Sequence, residues 1–162
     1  MCQLSFNLLD PFSKDKGSLE LLEANHELKR HNYALTASDA AQILTARSRT
    51  LSNQGRVELN LSVTKALIKR LSESDYITQE NFVDTVNDLY EIFHLIKNFT
   101  SDYVGDDEVI DAIMNFYNGV CGGSSELLAG KGVDKILQNY EQKRKLSAIT
   151  KEESDRYWYF DE

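Results

Sequence analysis

Two copies of a Glu-x-x-His motif are the first residues in this sequence whose types and spacing could support chemistry. Glu23 and His26 form one copy, and Glu91 and His94 form the other. Helical residues three positions apart share a face. Helical di-metal proteins bind their ions with two such motifs and one further Glu from each of two other helices. The four residues are therefore a candidate metal site.

A simpler interpretation competes with the metal site. Glu is common here, so a four-residue motif with two defined positions arises easily by chance. Glu23 falls outside the apolar stripe of its helix, while Glu91 and His94 share a polar strip with Asn87 and Asn98. We therefore expect hydrogen-bonded histidines, and neither a metal nor another cofactor.

Cys121 is the second candidate, because it lies in the Gly-rich segment Gly119–Ser124 just before a predicted helix. Backbone N–H groups and a positive helix end lower the pKa of a thiol, which is typical of a nucleophile or a redox sensor. The alternative is a small buried residue at a tight corner, where Gly122 and Gly123 supply unusual backbone angles. No His lies close in sequence, so we favour the buried residue.

Two further patterns have plainer explanations. The segment Gly119–Gly132 offers Lys131 and could bind a phosphate, but it lacks the Gly-x-x-x-x-Gly-Lys-Ser/Thr pattern. Asp106, Asp107 and Glu108 lie where the dipole of the following helix favours acidic residues. Their spacing is not that of a calcium-binding loop. Helix ends account for both patterns.

The overall composition is that of an ordinary globular protein. The 162 residues suit one domain, and 26 acidic against 18 basic residues give a net charge of −8, which disfavours nucleic acid as a partner. No stretch approaches the roughly 20 apolar residues of a membrane span, and the N-terminus lacks a signal-peptide pattern. Two cysteines, Cys2 and Cys121, make no disulfide framework. We expect a cytoplasmic protein that binds no membrane.

Apolar residues at spacings of three and four predict an all-α domain over residues 1–162, a compact bundle of six or seven helices. The most apolar helix, near residues 80–99, is predicted to be central. The first helix is predicted over 18–33. The second is predicted to begin with a capping box at Thr36 and to end at Gly55.

Other boundaries follow from capping residues and glycines. Thr78 is predicted to cap the central helix, and a short helix with Leu127 and Leu128 is predicted to end at Gly130 before a last helix begins near Gly132. Residues 57–63 alternate apolar with polar, which predicts either a small β element or an extended lead-in to a helix over 62–73.

The two ends of the chain differ from the helical middle. Residues 1–16 are predicted to be irregular, and residues 147–162 form a tail with four consecutive aromatic residues: Tyr157, Trp158, Tyr159 and Phe160. Because proteins rarely expose such a patch, we expect the tail to dock on the body, with strand pairing to residues 57–61 as one arrangement. The alternative is a partner-binding tag.

Several motifs resemble a known family. They are Gly55-Arg56-Val57-Glu58, Tyr76-Ile77-Thr78-Gln79-Glu80-Asn81, Leu89-Tyr90-Glu91-Ile92-Phe93 and Cys121-Gly122-Gly123-Ser124-Ser125-Glu126-Leu127-Leu128-Ala129-Gly130. Over residues 55–140 the chain resembles an uncharacterised bacterial domain of unknown function from anaerobic Gram-positive bacteria. The resemblance implies a helical domain and no activity.

These observations favour a non-enzymatic protein-interaction or adaptor domain with a protein partner. One alternative is an enzyme or sensor that uses Cys121 or the Glu/His pairs. Another is a helical protein that binds a small molecule among tyrosines, namely Tyr33, Tyr76, Tyr90, Tyr103 and Tyr117. The oligomeric state has no signature in the sequence.

Overall fold

A computed structural model describes residues 16–158 of the chain. Within this range every regular element is a helix and there is no strand, which confirms the all-α prediction for the described residues. The predictions for the irregular N-terminus and for docking of the side chains of Tyr157, Trp158, Tyr159 and Phe160 lie outside the described residues.

No helix within residues 16–158 combines the length and the apolar character needed to cross a membrane.

The described chain folds into helices joined by short connections. In chain order they are α1 (residues 16–22), α2 (Asn25–Leu28) with a 3-10 turn (Lys29–His31), α3 (Ala37–Gln54), α4 (Ser62–Ser72), α5 (Phe82–Phe99), α6 (Asp106–Asn118), α7 (Ser125–Leu127) with a π turn (Leu128–Gly132), and α8 (Val133–Trp158).

Helix α5 is the centre of the packing, as the sequence predicts. It contacts α3, α4, α6, α7 and α8. Ten of its eighteen residues are buried, and Phe82, Leu89 and Ile96 are completely so. Because apolar side chains surround most of this helix, burial of α5 supplies much of the driving force for folding.

Both predicted ends of α3 are confirmed. Thr36 accepts a hydrogen bond from the Asp39 N–H, and the Asp39 side chain accepts one from the Thr36 N–H, which makes a capping box. At the other end Gly55 has φ of 64°, a left-handed conformation that glycine adopts without steric cost.

The first predicted helix, over residues 18–33, is wrong as a continuous element. The chain turns at residues 23–24 and ends its 3-10 turn at Asn32, where φ is 62°. At the break the backbone changes to bonds between residues three apart, from the Ala24 N–H to the Leu21 carbonyl (3.1 Å) and from the His26 N–H to the Glu23 carbonyl (3.2 Å). After the 3-10 turn, Asn25 Oδ1 accepts from the Leu35 N–H (2.7 Å) and Asn25 Nδ2 donates to the Leu35 carbonyl (2.8 Å). These bonds fold the chain back across α2.

The prediction that Thr78 caps α5 is also wrong. Helix α5 begins four residues later, at Phe82, with Asn81 at its N-cap position. The Thr78 N–H donates to Asn81 Oδ1 (2.8 Å), and the Asn81 N–H donates to Thr78 Oγ1 (3.3 Å). This reciprocal bonding closes a separate turn before the helix.

The short helix predicted to end at Gly130 continues instead. Helix α7 passes through the π turn into α8, whose start at Val133 matches the predicted start near Gly132. A Cβ on Gly132 would lie 2.9 Å from Leu128 Cδ1 and 3.3 Å from Cys121 Sγ. A side chain at position 132 would therefore crowd Leu128 and Cys121 at the end of the π turn.

The alternating segment 57–63 is not a strand: residues 56–61 form a linker, and Ser62 and Val63 are the first residues of α4. Its apolar residues Val57 and Leu59 are 87% and 98% exposed. Glu58, between them, turns its side chain towards the interior, where it meets Arg47 and His94. In a half-buried strand the apolar side chains would face the interior and the polar ones the solvent. Here the apolar side chains face the solvent and the charged Glu58 side chain faces the interior.

Helix α8 is divided into a packed half and an exposed half. Val133, Ile136 and Tyr140 are buried against the body, and the Tyr140 hydroxyl donates to the Glu108 carbonyl (3.3 Å) in the first turn of α6. Every residue from 141 to 156 is exposed. At 1.5 Å per residue, this second half extends about 24 Å along the helix axis.

We predict that Gly123→Ala lowers the free energy of unfolding by about 2–4 kcal/mol. Gly123 has φ of 80°, and an added Cβ would lie 2.4 Å from the Cβ of Tyr76. Urea denaturation measures the loss. The matched control is Gly130→Ala, where nothing lies within 4 Å of the added atom and the change should stabilise the helix slightly. Equal effects of both substitutions would contradict the prediction.

Candidate functional site

The most unusual feature of the interior is a cluster of polar side chains around Glu58. Oε1 of Glu58 lies 2.6 Å from Nε2 of His94. Oε2 of the same carboxylate accepts from Nη2 (3.1 Å) and Nε (3.3 Å) of Arg47. Both carboxylate oxygens are therefore engaged, one by an imidazole and the other by a guanidinium group.

Three different elements supply this cluster. Arg47 comes from α3, Glu58 from the linker over residues 56–61, and His94 from α5. Arg47 Nη2 also donates to the main-chain carbonyls of Glu58 (3.4 Å) and Asn60 (3.0 Å). The guanidinium group thus holds the linker by its backbone as well as by its carboxylate.

The electrostatics of the cluster favour an ionised Glu58. Burial alone would raise the pKa of Glu58, but the hydrogen bond with His94, the nearby Tyr90 hydroxyl and the charge of Arg47 together hold it below the ordinary value. Burial, followed by the negative charge of Glu58, raises the pKa of Tyr90. With the carboxylate ionised, His94 donates through Nε2. His94 Nδ1 and the Tyr90 hydroxyl are both buried without a hydrogen-bond partner among the described residues.

A carboxylate bonded to an imidazole is also the pair that orients a histidine for general-base catalysis. Here, however, the side chain of His94 is 2% exposed and that of Glu58 is 13% exposed. A general base must come within hydrogen-bond distance of its substrate. This degree of burial suits a structural clamp better than a proton-transfer site.

A second polar cluster lies along the same helix. Lys97 is buried, and its Nζ donates to the Val104 carbonyl (2.6 Å) and pairs with Asp106 (2.8 Å). Nearby, Arg56 Nη2 pairs with Asp102 Oδ1 (2.6 Å). The hydrogen bond from Arg56 lowers the pKa of Asp102. This cluster joins the linker and the loop before α6 to the end of α5.

The structure separates the residues of the predicted metal site. Glu23, His26 and Glu91 are exposed, whereas His94 is buried. His94 pairs with Glu58 and not with Glu91, because Glu91 lies on the solvent side of α5. Within residues 16–158 no group of three or more His, Cys, Asp or Glu side chains is arranged to hold a metal ion.

Cys121 lies in the core, as the simpler interpretation predicts. It is 6% exposed, and burial raises the pKa of its thiol. It contributes to the wall of a groove of about 490 Å³ together with Phe116, Leu127, Lys131 and Lys135. The raised pKa is the opposite of what a nucleophile or redox sensor requires.

The five tyrosines considered as a pocket make separate contacts. Tyr33 packs on Phe82 and donates its hydroxyl to the Ile77 carbonyl (2.7 Å). Tyr76 packs edge-on against Tyr117, with 6.4 Å between ring centroids. Tyr90 lies against His94, and Tyr103 lies under the guanidinium group of Arg144. They occupy several parts of the body.

The sequence patterns did not predict three interior charges: Glu58, Arg47 and Lys97. Glu58 lies in the segment that alternates like a strand, and Lys97 is a single basic residue within the apolar central helix. The one available signal was Glu58 itself, an acidic residue between apolar neighbours that do not form a strand. Nothing in the sequence pairs it with Arg47, which lies 11 positions earlier.

Comparison with known proteins gives one match. A family model described as a family of unknown function (DUF6323) matches residues 20–146. No curated protein and no solved structure matches the chain. The matched range includes both polar clusters and Cys121, and its description assigns no activity to any of them.

We predict that Glu58→Gln lowers the free energy of unfolding by about 1–3 kcal/mol at pH 7, because it removes the charge that Arg47 and His94 share. The pKa of Glu58 is lowered in the folded state. The stabilisation is therefore present above the ordinary glutamate pKa and is lost as the pH falls through the folded pKa. Urea denaturation across pH 3–7 should show the difference from wild type narrowing below about pH 4.

Glu91→Gln is the matched control for this experiment. It makes the same Glu-to-Gln change at an exposed position on α5, about one helical turn before His94. Its effect should stay within about 0.5 kcal/mol at every pH. Two results would argue against a structural clamp formed by Arg47, Glu58 and His94. One is a loss of unfolding free energy in Glu91→Gln as large as that in Glu58→Gln, and the other is a loss in Glu58→Gln that does not vary with pH.

We also predict that Cys121 reacts slowly with iodoacetamide. Its burial and raised pKa leave little accessible thiolate at pH 7, so alkylation should be slower than that of free cysteine and should accelerate on unfolding. A Cys2→Ser background isolates this thiol, since the chain has two cysteines. A rate above that of free cysteine at pH 7 would restore Cys121 as a candidate nucleophile.

Proposed function

Since the chain belongs to DUF6323, a family of unknown function, we propose its role from its own geometry. It is a non-enzymatic protein-interaction domain that binds a protein partner through residues 141–156 of α8, which we call the α8 arm. The observation that carries the proposal is that every residue of this arm is exposed.

The composition of the α8 arm supports a binding role. Leu146 and Ile149 are 64% and 54% exposed, and basic and acidic residues surround them. Helical propensity alone stabilises an isolated helix only marginally in water. An exposed helix with apolar residues on one side gains stability when a partner covers that side.

The groups that could do chemistry support the same conclusion. The His94 imidazole is engaged with Glu58 in the interior, and burial raises the pKa of the Cys121 thiol. The His94 imidazole and the Cys121 thiol therefore contribute to folding, and their burial leaves them little reactivity towards a substrate. The net charge of −8 supports a protein partner over nucleic acid.

We also propose a cytoplasmic location. Cys121 is a free, buried thiol. Thiols stay reduced in the cytosol, whereas disulfides form and persist in oxidising compartments.

Site-specific photo-crosslinking in the native cell tests the function. A photoreactive residue at position 149 should give discrete adducts with another polypeptide chain, because Ile149 lies on the arm. The matched control is position 59, where Leu59 is an equally apolar and 98% exposed residue of the body. Adducts at 59 equal to those at 149, or none at 149, would refute the α8 arm as the binding element.

A further inference from the structure

We infer that the partner of the α8 arm is the α8 arm of a second copy of this chain, paired antiparallel. The inference rests on the proposed function and makes it specific. It follows from the spacing of the exposed residues of α8, from their charges and from the open groove beside them.

One stripe of exposed residues on α8 has the spacing of a coiled coil. Its positions are separated alternately by three and four residues, which is the repeat that lets two helices pack side by side. The stripe consists of Asn139, Gln142, Leu146, Ile149, Glu153 and Arg156. All six are exposed, and the two apolar members lie at its middle.

The stripe is free to receive a second helix because the body uses another side of α8. Val133, Ile136 and Tyr140 are the residues buried against the body. Successive residues of a helix are 100° apart around its axis. By this measure the centre of the exposed stripe lies more than 120° around α8 from the centre of the buried set. A second helix on the stripe therefore meets no core residue of α8.

The identity of the residues selects the antiparallel direction. Centring a two-fold axis between Leu146 and Ile149 places Leu146 of each copy against Ile149 of the other, and Gln142 against Glu153. A parallel pair would instead place the two Glu153 carboxylates opposite one another in the seam. Like charges so placed are destabilising.

The residues beside the stripe have complementary charges. Lys145 and Glu152 are seven positions apart and so lie on the same flank of the stripe. In the antiparallel arrangement, Lys145 of one copy faces Glu152 of the other, and the two-fold symmetry repeats this pair. Within one chain Lys145 already pairs with Glu141 (3.2 Å), which directs its ammonium group along this flank.

The same register covers the groove between α6 and α8. This groove has a volume of about 510 Å³ and includes Asn139, Gln142 and Leu146 from α8 with Glu108 and Asp111 from α6. Both carboxylates already have a partner within the chain, Lys143 for Glu108 and Arg70 for Asp111. In the antiparallel register Arg156 of the second copy lies opposite Asn139, a residue of this groove, so pairing covers part of the open groove.

The paired surface is small, because each copy contributes little more than two heptads. Interfaces of this size support weak association, and we expect a dissociation constant on the order of 100 µM. Sedimentation equilibrium of the full chain from about 10 µM to about 1 mM covers that range. The wild-type chain should sediment as a monomer–dimer equilibrium.

Three substitutions locate and orient the interface. Ile149→Lys should abolish the dimer, because it buries a charge at the centre of the seam. Lys145→Glu should weaken the dimer about tenfold, because it sets two carboxylates opposite each other at two symmetric positions. The double variant Lys145→Glu/Glu152→Lys should restore the dimer to within about threefold of wild type.

Lys151→Glu is the matched control, since it makes the same charge change on the arm away from the stripe. It should leave the dissociation constant unchanged. Circular dichroism of each variant verifies that α8 stays helical, particularly in Lys145→Glu, which also loses the pair with Glu141.

A chain that stays monomeric up to about 1 mM, a dimer insensitive to Ile149→Lys, or a double variant as weak as Lys145→Glu would overturn the inference. None of these results would overturn the proposed function. The proposed function is refuted if no adduct forms at position 149 in the cell. Adducts with a different polypeptide would support the proposed function and refute pairing between two copies of this chain.

Discussion

The Glu58 carboxylate, turned into the protein between α3 and α5, is the constraint on which the arrangement of the body depends. A charge removed from water is costly unless opposite charge and hydrogen bonds compensate it. Arg47 and His94 provide that compensation from two different helices. The linker must therefore follow one path, since any other would leave the Arg47 guanidinium and the His94 imidazole without their partner. The Glu58 side chain thus connects helices α3 and α5, in addition to their direct packing and the hydrogen bonds from Asn98 to Gln54.

The polar residues of α5 extend the same principle along its length. Tyr90, His94 and Asn98 lie four positions apart on α5, and Lys97 follows His94 by three positions. His94 and Asn98 bond to the region around the linker, and Lys97 bonds to the loop before α6. Apolar packing gives α5 its central position, but apolar contacts are non-directional. The polar strip supplies the directional contacts that define which loop lies against which turn of the helix.

The body and the α8 arm contrast in how they use their side chains. In the body, the groups with chemical potential are committed to internal contacts: the imidazole to a carboxylate, the ammonium of Lys97 to a carbonyl and an aspartate. In the arm, Lys143 pairs with Glu108 and Arg144 lies over the Tyr103 ring, but the apolar Leu146 and Ile149 face solvent. The proposed binding surface is therefore a part of the described chain whose residues are all exposed.

Local sequence determined the features that depend on neighbouring residues. The capping box of Thr36 and Asp39, the left-handed Gly55, and the apolar rhythm of α5 are predictable because their causes lie within one or two helical turns. The tertiary structure decided the rest. The chain after α2 is held by hydrogen bonds between Asn25 and Leu35, ten positions away, and the crowding of Gly132 arises from Leu128 and Cys121. Above all, the inward turn of Glu58 depends on partners 11 and 36 positions away. Helical periodicity reports which face of a segment is apolar, whereas the pairing of buried charges is settled only when separate helices meet in space.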